Sequence, residues 1–380
     1  MTQADTYIEP GSTIGIIGGG QLGQMMALSA KAMGYRILVL DPTPDCPTGQ
    51  VADEQIVADY DDQAALQDLA TRSDVLTYEF ENVSQTALAQ LHDAYLPQGI
   101  DLLTITSNRI KEKTFIRDQA QVPVAKFATV ENPMDLSKAV STVGFPAILK
   151  TVSGGYDGHG QFDINGEDDF VQIMEDFPSG ELILEEKIDF TQEVSIMVTR
   201  SATGELTTWP VAENVHRHHI LRTSTVPANI SPELDQKIHG IAKKIAETLN
   251  LRGVLGIELF VNRDTQQVWV NELAPRPHNS GHYTIEACNV SQFEGHIRSI
   301  VGLPLPKIEL IGPALMTNLL GDELTLARAD FQKEPDWHFH DYGKAQIKPG
   351  RKMGHVTVVG QENQQKLSEY AKHLNERDKK

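Results

Sequence analysis

The chain has 380 residues, enough for two or three separately packed cores, since one domain commonly holds about 100 to 200 residues. A formal charge of −19 excludes a nucleic-acid polyanion as the main partner, because phosphate backbones are met by clustered lysine and arginine. No apolar run approaches the roughly 20 residues that cross a bilayer, Met1 to Ser12 lacks the pattern of a secretory signal, and Cys46 and Cys288 form neither a disulfide framework nor a zinc site, so cytoplasmic residence is the expectation.

The β-branched run Thr13 to Ile17 leads into Gly18-Gly19-Gly20-Gln21-Leu22-Gly23 and a helical pattern through Met33. A second strand, Arg36 to Leu40, ends in Asp41, 23 positions after Gly18. Strand, glycine turn and helix make a βαβ unit, and Gly18, Gly20 and Gly23 fit G-x-G-x-x-G. An NAD-dependent dehydrogenase is therefore one reading. Exposed amides at a helix N-terminus hold any phosphate, however, so a nucleotide monophosphate fits as well. The next strand, Val75 to Phe80, delivers Glu79, Glu81 and Asn82 to the carboxyl edge, where open α/β sheets place ligands. Acids there suit an amine or hydroxyl better than a pyrophosphate.

A helix beginning at Asn108 brings Arg109, Lys111 and Lys113 to an otherwise acidic chain. Gly144 to Lys150 reads as a buried strand ending in a lysine beside the glycine-rich stretch Ser153 to Gln161, a combination that can neutralise nucleotide phosphates while the loop folds over them. The spacing is not that of a P-loop. Leu182 to Ile188 is a strand with a polar end, and Glu193 follows. In a cleft, such an end can read an adenine edge while a carboxylate accepts ribose hydroxyls. The run His216-Arg217-His218-His219 is no transition-metal site, because neighbouring histidines on extended chain face opposite ways and no cysteine completes a set.

Val254 to Val261 and Val268 to Leu273 are β-rich runs joined by a polar loop around Asp264. Symmetry about Thr265 places Glu258 opposite Glu272 on one face. Two facing carboxylates repel unless a cation lies between them, and a few hard oxygen ligands suit magnesium carrying nucleotide phosphates. The dense polar tail Pro275 to His282 follows. Pro304 and Pro306 mark a linker, Lys344 to Val359 reads as strands and a turn, and a last helix runs from Gln361 to Leu374.

Lys150, the loop from Gly154 to Gln161, Glu185 to Ile188, Glu193 and the Glu258/Glu272 pair together resemble the ATP-grasp superfamily. More closely, the glycine turn at 18–23, Thr77-Tyr78-Glu79-Phe80-Glu81-Asn82-Val83, Gly155-Tyr156-Asp157-Gly158, the stretch Asn271 to His282 and Pro349 to His355 resemble the 5-(carboxyamino)imidazole ribonucleotide synthases of purine biosynthesis. The resemblance spans almost the whole chain. It implies an α/β (α+β ATP-grasp) ligase with a Rossmann-like domain at 1–106, an ATP-grasp domain at 107–303 with a lid at about 125–190, and a small C-terminal β-rich domain at 304–380. Another ATP-grasp ligase or a transformylase acting on a purine precursor is the nearest alternative.

By the same resemblance, ATP is contacted by Arg109, Lys150, Gly155, Tyr156, Asp157, Gly158, His159, Gly160, Gln161, Glu185, Glu186, Lys187, Ile188, Glu193, His216, Asn271 and Glu272. Glu258 and Glu272 hold Mg2+. The second substrate, 5-aminoimidazole ribonucleotide, is held by Gln21, Leu22, Glu79, Asn82, Tyr156, Asp157, Arg276, His278, Asn279, Ser280, His282, Lys344, Lys348, Arg351 and Lys352. Bicarbonate is the third substrate, and a homodimer the implied assembly. Tyr156, Asp157, Arg276, His278 and Lys352 carry the catalytic expectation, with Asp157 or His278 as base for the amine. The chain departs from the pattern at Ala274, where many relatives place an asparagine ligand, at His159, where many have arginine or lysine, and at Lys348, often arginine.

Overall fold

A computed structural model describes residues 7–91, 94–153 and 160–377. Its strands form three sheets. The first is parallel, built from β1 (Thr13–Ile17), β2 (Arg36–Leu40), β3 (Glu54–Ile56) and β4 (Val75–Tyr78) in the order β3-β2-β1-β4. Nearly every residue of β1, β2 and β4 is buried, as a parallel sheet covered on both faces requires. The helix Gln21–Ala32 lays Met26, Ala27 and Ala30 on Ile14 and Ile16. Its tight entry depends on Gly18, which takes φ +104° where a Cβ would strike Glu79 and Phe80.

The second sheet is antiparallel, with β5 (Phe127–Val130), β6 (Ala147–Thr151), β7 (Gln161–Ile164) and β8 (Leu182–Glu186) in the order β5-β8-β6-β7. Leu136, Ala139 and Val143 of the helix Pro133–Val143 pack on its back against Leu149, Ile164 and Leu184. Asn132 starts that helix by accepting the Asp135 amide hydrogen, with Pro133 in the first turn.

The third and largest sheet holds β9 (Gln192–Arg200), β10 (Leu206–Thr208), β11 (Ala212–Arg217), β12 (Ile220–Val226), β13 (Val254–Asn262), β14 (Gln267–Ala274), β15 (Ala314–Leu320), β16 (His338–Asp341) and β17 (Lys352–Val359). Along it the order is β14-β13-β9-β11-β12-β15-β17-β16, with β10 paired to β9. The helix Pro232–Thr248 buries Leu234, Ile238, Ile241, Ala242 and Ile245, one face at helical spacing, against Leu255, Ile257, Leu259 and Val261 of β13. Each such side chain contributes about 1.5–3 kcal/mol on burial. The alternate residues of β13, Glu258 and Phe260, are thereby turned to the opposite face.

The strands of the C-terminal β-rich segment extend the large sheet, with β15 pairing to β12 in the register Thr223↔Thr317. The stretch from Lys344 to Arg351, expected as strand and turn, is a loop, and β17 starts only at Lys352. Pro349 cannot donate to a ladder and Gly350 adopts φ +71°. Among the described residues no helix is long and apolar enough to cross a membrane.

The last strands are tied to the sheet by a buried ion pair. Arg222 of β12 meets both carboxylate oxygens of Glu323, at 2.7 and 3.1 Å, and Glu323 also accepts the Leu320 amide hydrogen. Glu323→Ala strands the buried guanidinium and should cost about 3–5 kcal/mol of stability in chemical denaturation. The apolar double variant Arg222→Met, Glu323→Leu should recover most of that loss.

Candidate active site

Between the second and third sheets lies a cleft of about 480 Å³. At one end, Phe190 and Phe260 stack with ring centroids 4.5 Å apart and planes 11° from parallel, near Ile148, Ile188 and Leu221. This apolar end is bordered by Glu186, where β8 ends, and by Lys187, and their backbone amides donate to the Lys126 and Pro146 carbonyls. Glu193 and His216 follow on β9 and β11, with Nδ1 of the imidazole 2.7 Å from the carboxylate. Burial alone would lower the His216 pKa, but the bond to Glu193 and the charge of Glu258 raise it above its ordinary value.

The floor is cationic. The Glu185 carboxylate is shared by Lys150 at 3.0 Å and Lys113 at 3.3 Å, and Lys113 also donates to the Asn271 carbonyl at 2.8 Å. Burial would raise the Glu185 pKa, yet the two ammonium groups hold it down at about 2. Burial lowers the Lys150 pKa, and neighbouring Lys113 and Arg109 lower it further while Glu185 opposes them. Two lysines on Glu185, with Arg109 3.7 Å from Glu272, set three cations against two carboxylates and leave net positive charge where an anion would settle.

Beyond the lysines, Glu258 and Glu272 face each other across the β13–β14 hairpin, as Cα partners. The register slips by one residue between Glu258 and Leu259, so Asn271 is the extra residue of a β-bulge, and Asn271 and Glu272 both line the cleft although they are adjacent in sequence. Burial and the facing Glu272 push the Glu258 carboxyl up to about 7. Two opposed carboxylates with an amide beside them form the oxygen-only donor set that a hard divalent cation fits.

The far end is built by the tail after β14. Arg276 forms a two-pronged pair with Glu81, Nε to Oε2 at 2.6 Å, reaching back to the first sheet. His278 places Nε2 3.4 Å from Glu258 Oε1, and Asn279 and Lys352 complete the wall.

Three family models cover the chain in order: a ribonucleotide synthetase preATP-grasp domain over residues 12–99, an ATP-grasp domain over 116–293 and a phosphoribosylaminoimidazole carboxylase C-terminal domain over 314–369. The N5-carboxyaminoimidazole ribonucleotide synthase of Bacillus subtilis (strain 168) is 49% identical over 98% of this chain and 97% of its own. The chain belongs to this family of ATP-grasp ligases. Among solved structures, an ADP complex of an N5-carboxyaminoimidazole ribonucleotide synthetase matches with a TM-score of 0.93, 46% identity and full coverage of both chains. The synthase of Aspergillus clavatus in complex with ADP and 5-aminoimidazole ribonucleotide gives 0.84 at 31% identity, covering 92% of this chain and 94% of its own.

Within this ATP-grasp ligase the cleft gathers Arg109, Lys150, Gln161, Glu185, Glu186, Lys187, Ile188, Glu193, His216, Glu258, Asn271, Glu272, Arg276, His278, Asn279 and Lys352. Gly160, at φ +74°, hands the chain into β7. Gly155, Tyr156, Asp157, Gly158 and His159 lie outside the described residues.

Other expectations are corrected. Both Glu79 oxygens accept amide hydrogens of the glycine turn, from Gly20 and from Gly23, so this carboxylate braces the loop. It also fills the amides that a dinucleotide phosphate would need, and Asp41 is engaged by Gly19 and Tyr60, which removes the dehydrogenase reading. The Leu22 side chain is in the core and offers only its backbone, while Gln21 is half-buried at the helix start. His282 is wholly buried between Phe293, Tyr342 and His355, and the Ser280 hydroxyl is buried behind His278, so neither side chain reaches the cleft. Asn82, Lys348 and Arg351 are exposed outside it, with Arg351 donating to the Gln346 carbonyl. Lys344 donates to the Lys352 carbonyl, and burial with nearby Arg351 lowers its pKa to about 8.

Sequence reasoning noted Glu81 and Lys113 without giving them a place in the site, and left out Phe190 and Phe260. Lys113 stands four residues after Arg109 on one helix face, and Phe260 two after Glu258 on one strand face, so spacing alone could have found both. Phe190 sits in an irregular segment with no such signal.

Behind the site, Glu112 accepts the Leu273 amide hydrogen, and burial together with Glu272 pushes its carboxyl up to about 8. The folded state thus holds a proton that the unfolded chain has released, and stability falls as pH rises from the ordinary carboxylate range through about 8. Glu112→Gln keeps the acceptor and removes the charge. Denaturation across that window should show a shallower loss in the variant than in the parent.

Proposed function

We propose that the protein carboxylates 5-aminoimidazole ribonucleotide with bicarbonate and ATP, giving 5-(carboxyamino)imidazole ribonucleotide, ADP and phosphate. The observation that carries this reading is the continuity of one cleft, from the Phe190/Phe260 end through the Lys113–Lys150 floor and the Glu258/Glu272 pair to Arg276, His278 and Lys352. It is supported by the relatives' names and by the pair of ligands in the Aspergillus clavatus structure.

The base of ATP lies at the aromatic end with its ribose near Glu193. Lys150, Lys113 and Arg109 meet the phosphates. Glu258, Glu272 and Asn271 hold Mg2+, which when bound supplies Lewis-acid charge compensation to the phosphate oxygens. A bicarbonate oxygen attacks the γ-phosphorus, and the bond to the β-bridging oxygen breaks, giving carboxyphosphate and ADP. Arg276, kept charged beside Glu81, and Lys150 offset the charge that develops. The amine nitrogen of the ribonucleotide then bonds to the carboxyl carbon, phosphate leaves with the C–O bond's electrons, and the nitrogen loses a proton, for which Asp157 is the assigned acceptor. Tyr156 carries the expectation of keeping water from the mixed anhydride. Lys352 and Lys344 form the cationic patch for the ribonucleotide phosphate, with the Gln21 and Leu22 amides at the helix start opposite. The same reading carries a cytoplasmic homodimer.

ADP release should require both bicarbonate and 5-aminoimidazole ribonucleotide; release that ignores the ribonucleotide would sink the substrate assignment. Glu272→Gln should cut turnover about a hundredfold while leaving the melting temperature close to the parent's. Titration with NADH should leave the cofactor's fluorescence unchanged.

A further inference from the structure

Behind His278 runs a chain of two buried hydroxyls. Ser195 Oγ, on β9, donates to Ser280 Oγ at 2.6 Å, and Ser280 Oγ lies 2.7 Å from His278 Nδ1. The Ser280 backbone N–H points at the same nitrogen, at 3.4 Å. An amide N–H can only donate, so Nδ1 is an acceptor. The Ser280 hydroxyl, already accepting from Ser195, has its own hydrogen left for Nδ1. A neutral imidazole that accepts at Nδ1 carries its hydrogen on Nε2. That nitrogen is the one 3.4 Å from Glu258.

The backbone that carries the ring is clamped. Gln292 Oε1 accepts from the His278 amide at 2.9 Å, and Gln292 Nε2 donates to the His278 carbonyl at 2.8 Å, so one side chain clamps the backbone on both sides. Gln292 is itself held by the Thr284 hydroxyl, which accepts its amide hydrogen at 2.9 Å. On the strand side, a Cβ at Gly256 would come within 2.6 Å of the His278 Cβ, so the side chain sits directly on the β13 backbone.

We infer that Ser195 and Ser280 are positioning residues that lock His278 in its Nε2–H tautomer, so that the ring presents a hydrogen-bond donor to Glu258 and to anionic groups in the cleft. This rests on the active-site reading above. It replaces the sequence expectation that His278 takes the proton of the amine, because the nitrogen facing the cleft already carries a hydrogen. A donor there fixes the orientation of one carboxylate of the facing pair, as outer hydrogen bonds do for metal-binding carboxylates.

The test is a long-range proton–nitrogen correlation spectrum of the full chain with nitrogen-15 in its histidine rings, the His278 signals assigned by their loss in His278→Gln. The parent should show hydrogen on Nε2 alone. Ser280→Ala should give a mixture of tautomers and lower kcat about tenfold or more with KM for ATP little changed. Ser195→Ala should weaken the preference in the same direction, and Ser195→Thr, which keeps the hydroxyl, should restore it. Thermal melts confirm that each variant folds. Hydrogen on Nδ1 in the parent, or an unaltered tautomer and kcat in Ser280→Ala, would overturn the inference. A parent that shows the Nε2 tautomer but carboxylates no aminoimidazole ribonucleotide would support the lock and count against the active-site reading instead.

Discussion

Two carboxylates held face to face set the terms for the whole molecule. Glu258 and Glu272 repel each other on the β13–β14 hairpin that ends the large sheet, and the register that opposes them is enforced from behind by Ile257, Leu259 and Val261 packed on the Pro232–Thr248 helix. A slip of one residue would turn those apolar side chains outward, so burial of the core holds the acids together against their repulsion. The bulge at Asn271 adds a third oxygen donor without disturbing that core, because Val270 and Leu273 both remain inside. This also answers the substitution at Ala274: the amide sits one residue before the second glutamate, and Ala274 is buried.

Charge is segregated along the cleft by the same logic. An acidic chain of formal charge −19 concentrates cations at the ends of separate elements, Lys150 from β6, Arg109 and Lys113 from one short helix, Arg276 and Lys352 from the large sheet. Lys150 and Lys113 share Glu185, Arg276 pairs with Glu81 and Arg109 lies 3.7 Å from Glu272, so these cations are held in place by acids and the cluster keeps a positive excess. Preorganised charge of this kind needs no rearrangement when phosphate arrives.

The glycine turn shows how a familiar motif can change its use. Gly18, Gly20 and Gly23 make the sharp entry into the first helix, as the fingerprint demands, but the amides they expose are taken by Glu79 of the neighbouring strand. That acid braces the loop. Its neighbour two residues on, Glu81, crosses to Arg276 and joins the parallel sheet to the cleft.

Local pattern by itself determined the βαβ start, the buried strand ending at Lys150 and the opposition of Glu258 to Glu272, because each depends only on spacing within a short stretch of chain. The order of motifs along the sequence was enough to indicate the family. What the tertiary structure alone decided is which polar groups are spent on one another. Glu79 against the glycine amides, Lys113 on Glu185, His282 sealed behind Tyr342 and the Ser195–Ser280–His278 chain all join residues far apart in sequence, and their hydrogen-bond partners are fixed only when the sheets pack. A buried polar atom must find a partner, and nothing in the local sequence says which atom will be within reach.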